Sequence, residues 1–183
     1  MNHLLTTIAR TFVAAATLCA AAATAHAQGV SGDVAAGQKK AEMCVGCHGI
    51  PGYQNSFPEI HKVPMISGQS AQYIVSSLKA YQKGERKHPS MRGIAGSLSE
   101  QDMADLGAFY ASHATTTAPE TPKAASAKVA ALIEKGACVS CHGANFSKPI
   151  DPSYPKIAGQ HADYLYVALK AYTVENSNVV GRA

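Results

Sequence analysis

Two short stretches, Cys44-Val-Gly-Cys-His48 and Cys138-Val-Ser-Cys-His142, decide how this 183-residue chain is read. C-x-x-C-H is the attachment signature of c-type haem. Two thiols at this spacing, at the end of a helix, can add to the two vinyl groups on one porphyrin edge. The adjacent histidine then lies under the iron and supplies an axial nitrogen. Cys44, Cys47, Cys138 and Cys141 are therefore the expected covalent attachment points, and His48 and His142 the expected iron ligands. Other readings of the cysteines fit less well. Zinc favours Cys-x-x-Cys pairs about 15–20 residues apart, or further Cys and His nearby. A thioredoxin-like site expects a βαβ setting. Structural disulfides suit an exported protein but do not explain a histidine after both pairs.

Outward from the motifs, the chain repeats itself. Pro64-Met-Ile-Ser-Gly-Gln-Ser-Ala-Gln-Tyr73 parallels Pro155-Lys-Ile-Ala-Gly-Gln-His-Ala-Asp-Tyr164 at an offset of 91, as Leu78-Lys-Ala-Tyr81 parallels Leu169-Lys-Ala-Tyr172. The cysteine motifs stand 94 apart, so the first copy carries three extra residues between motif and repeat. Such repetition means two copies of one small domain. Residues 114–126, rich in Thr, Ala and Pro, read as a linker between a first domain over 28–113 and a second over 127–183. Asp33 can cap a helix that runs toward Cys44, and Ser70 a second with Tyr73, Ile74, Leu78 and Tyr81 near helical spacing. Ser99 with Asp102 starts a third, whose apolar stripe is Met103, Leu106, Phe109 and Tyr110. The second copy repeats the first helix, about 126–135, and the second, from His161. No alternating strand pattern stands out. The expected class is all-α.

Composition agrees with a folded, exported chain. Hydrophobic residues make up 46% and charged residues 15%, which excludes disordered and collagen-like classes. Residues 1–27 read as a cleavable signal peptide: Arg10, an apolar run from Phe12 to Ala23, then Ala25-His26-Ala27. The run is short for a membrane span, which needs about 20 apolar residues. Cleavage would remove Cys19 and Arg10, leaving 15 basic against 12 acidic residues, or +3. That mild charge gives no support for a nucleic-acid partner.

A sixth ligand is expected on the far side of the first iron. Methionine suits an electron carrier because its thioether raises the potential. Met43 adjoins Cys44 on the histidine side, Met65 has Lys156 as its counterpart, and Met103 belongs to the core stripe of the third helix. Met91, in the polar Pro/Gly stretch Lys87-His-Pro-Ser-Met-Arg-Gly93, is the preferred ligand, in an expected loop. His61, His88 and His113 lack metal-like spacing and read as surface or loop residues. His161 reads as a surface or capping residue. Lys83, Arg86 and Lys87 read as a solvated basic loop.

CVGCHG, VPMISGQSAQYIVSSLKAYQKGER and PSMRGIAGSLSEQDMADLGAFYAS resemble the first domain of the dihaem cytochrome c₄ family, and CVSCHG and YPKIAGQHADYLYVALKAY the second. The resemblance covers nearly all of 30–183 except the linker. It implies two tandem class I cytochrome c domains, two covalently bound haem c groups, and a periplasmic location. It implies His48 and Met91 as axial ligands of the first iron and His142 as proximal ligand of the second. It also implies that the carbonyls of Pro64 and Pro155 accept from the histidine rings, fixing their orientation. The implied role is one-electron transfer in a respiratory chain, with a quinol-oxidising complex as donor and a terminal oxidase as acceptor. The haem propionates would largely cancel the +3 charge, and docking would use a small apolar patch with a polar rim. Peripheral association with the membrane is compatible with this role. No methionine follows Met103, and the counterpart of Met91 falls near Arg182. The sequence is thus expected to be incomplete at its C-terminus, or else the second iron is open on its distal side. The rival readings are a cytochrome subunit of a sulfur- or alcohol-oxidising dehydrogenase, a haem peroxidase, and a small-ligand sensor. A peroxidase would need distal acid–base groups, and no such constellation stands out.

Overall fold

The structure, a computed structural model, describes residues 30–113 and 124–173 with the backbone of 181–182. The expected signal peptide and residues 114–123 of the expected linker lie outside the described residues. Residues 32–183 gather into one compact unit, and only Val30 and Ser31 are described of the preceding one.

The first half begins with α1 (Val34–Lys40), where the Asp33 side chain accepts from the Ala36 N–H at 2.6 Å. Helix α2 (Glu42–His48) follows a break at Ala41 and carries the first C-x-x-C-H, so the single helix expected here is two segments. β1 (Gln54–Asn55) pairs antiparallel with β2 (His61–Lys62), setting Gln54 against Lys62. Ser70 caps α3 (Ala71–Lys83), accepting from the Tyr73 N–H at 3.0 Å. After β3 (Arg86–Lys87) comes α4 (Pro89–Gly96), with His88 at its N-cap and proline at its first position, where no N–H is needed. Helix α5 (Glu100–Ser112) opens with the complete Ser99/Asp102 capping box.

The second half contributes α6 (Ala127–Lys135), capped by Ser126, α7 (Cys138–His142) with the second motif, and α8 (Ala162–Ala171). β4 (Gly181–Arg182) pairs antiparallel with β3, Arg86 opposite Arg182. The two-residue ribbons were not legible in the sequence, but the class is all-α as expected.

The core lies in the first half. Ala41, Ile74, Leu78, Ala95, Leu98, Met103, Leu106 and Tyr110 form one buried cluster. Burying each large apolar side chain is worth about 1.5–3 kcal/mol, and α5 supplies three of them. Helix α1 lies backbone-to-backbone on α5, because a Cβ on Gly37 would fall 2.1 Å from the Asp105 carbonyl oxygen. Lys40 closes this contact onto Asp102 at 2.7 Å and Asp105 at 2.5 Å. Asp105 also accepts from the Asp33 N–H at 2.8 Å and from Gln101 at 2.8 Å.

The two halves clasp each other reciprocally. The Gln69 side chain donates to the Lys156 carbonyl at 2.6 Å and accepts from its N–H at 2.9 Å. Gln160, its counterpart at the offset of 91, does the same to Met65, at 2.9 and 3.1 Å. Met65 and Lys156 are also counterparts, so the repeat packs on its own copy by the same two-point bond. Lys156 Nζ to the Gly68 carbonyl, Asp163 accepting from the Lys62 N–H, and Lys170 with Glu59 extend the contact.

Candidate haem sites

Each C-x-x-C-H ends a helix and is answered by a proline carbonyl. Helix α2 stops at His48, the chain returns through β1 and β2, and the Pro64 carbonyl accepts from His48 Nδ1 at 2.8 Å. Helix α7 stops at His142, and the Pro155 carbonyl accepts from His142 Nδ1 at 2.9 Å. A neutral imidazole that donates through Nδ1 keeps its Nε2 lone pair for a metal. Burial lowers the His48 pKa, against an opposing effect of the Pro64 bond, and so favours that neutral form. Downstream of each proline the chain turns through a glycine with positive φ, Gly68 at 78° and Gly159 at 75°. Glycine adopts this conformation without steric cost. The same turn thus sets both carbonyls, although the first connection is three residues longer.

The thiols are free in both motifs, Cys44 and Cys138 half-buried and Cys47 and Cys141 exposed. Burial first, and Cys47 next, raise the Cys44 pKa, while the Tyr110 hydroxyl opposes them. That hydroxyl is buried beside the Cys44 thiol and makes no well-formed hydrogen bond among the described residues. A donor left unpaired inside a core costs about 1–3 kcal/mol. Free thiols at the attachment spacing, a histidine held in the ligating tautomer, and an orphaned hydroxyl beside Cys44 all fit a covalently held haem.

The structure places Met91 in α4, correcting the expected loop, and packs it partly buried against the core. Its N–H meets His88 Nδ1 at 3.5 Å, a weak cap. The three histidines read as ordinary divide. His113 is exposed and bonds the Phe109 carbonyl at 2.8 Å. His61 is 5% exposed, its ring 6.2 Å from that of His88 and 5.8 Å from that of Tyr164. His88 has its pKa lowered by burial, then by His61, Arg86 and His48 around it. Arg86 also leaves the solvated loop expected for it: its guanidinium lies 4.4 Å from the centre of the Tyr81 ring. His161 stands at the N-cap of α8 with no side-chain cap bond. Arg182, near which the counterpart of Met91 is expected, lies outside the residues whose side chains are described. Among the described residues no helix is long and apolar enough to cross a membrane.

Comparison with known proteins shows the family. The cytochrome c family pattern matches residues 34–114 and 126–181. A cytochrome c4 of Pseudomonas aeruginosa is 33% identical over 148 residues, which is 77% of this chain and 70% of that one. A thiosulfate dehydrogenase electron acceptor of Thiomonas intermedia is 30% identical, covering 75% of this chain and 66% of that one. The crystal structure of reduced recombinant cytochrome c4 from Pseudomonas stutzeri superposes with a TM-score of 0.53 at 27% identity, covering 77% of this chain and 79% of that one. The chain therefore belongs to the cytochrome c family, and within it to the dihaem cytochrome c4 group of electron-transfer proteins that carry covalently bound haem c.

Proposed function

We propose that this protein carries single electrons between periplasmic redox partners, accepting from a quinol-oxidising complex and donating toward a terminal oxidase. Its domains run over 28–113 and 127–183, joined by 114–126 and preceded by a signal peptide over 1–27. Bound haem supplies the ferric–ferrous couple. The chain's part is to hold and tune it. Cys44 and Cys47, and Cys138 and Cys141, fix each group covalently. His48 and His142 ligate through Nε2 while Pro64 and Pro155 hold each ring in one tautomer. Met91 would supply a thioether ligand to the first iron. The observation that carries this reading is the matched histidine-to-proline bond, 2.8 Å in one half and 2.9 Å in the other. Such outer bonds orient a ligand and raise its basicity.

The test is spectroscopic. Two low-spin haems per chain are expected, with a methionine-to-iron charge-transfer band that disappears in Met91→Ala while a haem of lower potential remains. An unchanged band in that variant would remove Met91 from the site.

A second reading follows from one relative, whose name makes it the electron acceptor of a thiosulfate dehydrogenase. On that reading the same sites take electrons from a sulfur-oxidising enzyme. Reduction kinetics with a thiosulfate dehydrogenase and with a quinol-oxidising complex, compared at equal ionic strength, separate the two donors.

A further inference from the structure

The clasp between the halves closes on the two peptide units that hold the histidine rings. The Pro64 carbonyl, which accepts from His48 Nδ1 at 2.8 Å, shares its peptide unit with the Met65 N–H, and that N–H donates to Gln160 Oε1 at 3.1 Å. In the other half the Pro155 carbonyl accepts from His142 Nδ1 at 2.9 Å. The N–H of the same peptide, that of Lys156, donates to Gln69 Oε1 at 2.9 Å. A backbone N–H can only donate, so each side-chain oxygen must face it. Each side-chain amide then donates to the next carbonyl, that of Met65 at 2.9 Å and that of Lys156 at 2.6 Å. Matched turns seat both glutamines, their own N–H groups donating to the Ile66 and Ile157 carbonyls at 3.2 Å. The pairing is crosswise. Gln160 follows His142 in the second half yet meets the peptide that holds His48, and Gln69 does the reverse.

Hydrogen bonds in series polarise one another, because a peptide whose N–H donates carries more negative charge on its carbonyl oxygen. That oxygen draws the Nδ1 proton more strongly, and the imidazole then offers more electron density through Nε2. We infer that Gln69 and Gln160 are positioning residues for the iron ligand of the opposite half. Gln160 tunes the first haem through the Pro64–Met65 peptide and His48, and Gln69 tunes the second through the Pro155–Lys156 peptide and His142. This rests on the haem reading above. The two relays differ in strength. Gln160 Oε1 is shared with the His161 N–H at 3.0 Å. Gln69 is 8% exposed, and both its bonds to Lys156 are shorter than those of Gln160 to Met65. Hydrogen bonds are stronger away from water, so Gln69 has the larger effect.

The test uses the haem-loaded protein with Gln69→Met and Gln160→Met, which keep the side-chain shape and lose both hydrogen bonds. An electron-rich ligand favours ferric iron, which carries one more positive charge. Loss of the relay therefore shifts the haem of the opposite half toward ferrous by roughly threefold, or about 28 mV for one electron. The haem in the variant's own half keeps its wild-type potential. The first haem is identified by its response to Met91→Ala. In the ferrous protein the nuclear magnetic resonance signal of the opposite histidine's Nδ1–H moves upfield, because its hydrogen bond weakens. Gln69→Glu and Gln160→Glu keep an accepting oxygen and make it more negative, so they move the same signal downfield. If the Met variants do not accumulate with two haems, the Glu variants decide alone: a downfield shift confined to the opposite histidine supports the relay, and an unmoved signal overturns it. Equal potential shifts at both haems in the Met variants, as a loosened junction would give, overturn it as well. So do unchanged potentials and signals, or changes confined to the variant's own half. Absence of covalent haem from the wild-type protein would instead overturn the haem reading itself, and this inference with it.

Discussion

Leu78 and Leu169 occupy the same place in the two repeats, yet Leu78 is 8% exposed and Leu169 is 66% exposed. Ser70 caps its helix, while His161 at the matching position makes no side-chain cap. Despite these contrasts the histidine-to-proline bonds agree within 0.1 Å, 2.8 against 2.9 Å. The pair teaches that the attachment motif and its glycine turn are a local device. They reproduce their geometry from about twenty residues of sequence, without the packing around them. The buried core is a separate matter. It depends on α5, whose Met103, Leu106 and Tyr110 close over α3. Among the described residues of the second half no apolar side chain is buried, and Val129, Leu132 and Tyr166 are exposed.

The strongest expected contrast is between the paired leucines. Leu78→Ala should lower unfolding stability by about 2–5 kcal/mol, the range for a large-to-small change in a core. Leu169→Ala should stay within about 0.5 kcal/mol, as an exposed substitution does. Urea denaturation of both variants checks this, and equal losses would show that the second half is packed as tightly as the first.

The helix caps give a smaller contrast of the same kind. Ser70→Ala should cost about 1 kcal/mol, since the Tyr73 N–H loses its acceptor. His161→Ser should gain a few tenths up to about 1 kcal/mol by capping α8. A gain there would locate the weaker start of α8 in the sequence itself. Loss of stability would mean that the His161 ring has a packing role.

The acid response belongs mainly to the first half. Lys40 holds the Asp105 carboxyl down to about 2, helped by the Asp33 N–H and Gln101, and holds Asp102 well below its usual value. Depressed carboxyl pKa values stabilise the fold above the unfolded value of 3.8 and cease to do so as pH falls through the folded value. Stability should therefore decline between about pH 4 and pH 2. Asp105→Asn should flatten that decline, although it lowers stability at neutral pH. Thermal melts across this range read both effects.

Much of this was legible because the signals are local. Asp33, Ser70, Ser99 and Ser126 start helices through their own side chains, and the repeat announced the shared turn. What escaped depends on contacts between distant segments. His61 reads as a surface residue until Tyr164 packs against it from 103 positions away. Arg86 reads as part of a basic loop until three tyrosines from two helices surround it. The Gln69 and Gln160 clasp was visible as repetition but not as contact, since a repeat does not say that its copies touch. Met91 was misplaced for a local reason. Pro89 is a helix-start signal, but the polar Pro/Gly stretch ending at Gly93 argued for a loop, and packing of the short helix on the core prevailed.

The central claim is that one device, built twice, holds one haem in each half. Intact-mass measurement of the exported protein, with peptide mapping, tests it most directly. Two haems per chain are expected, one on Cys44 and Cys47 and one on Cys138 and Cys141. Changing both cysteines of either pair to serine should remove one haem and leave the other attached. A chain that carries no covalent haem, or that carries haem in the first half alone, would contradict the claim.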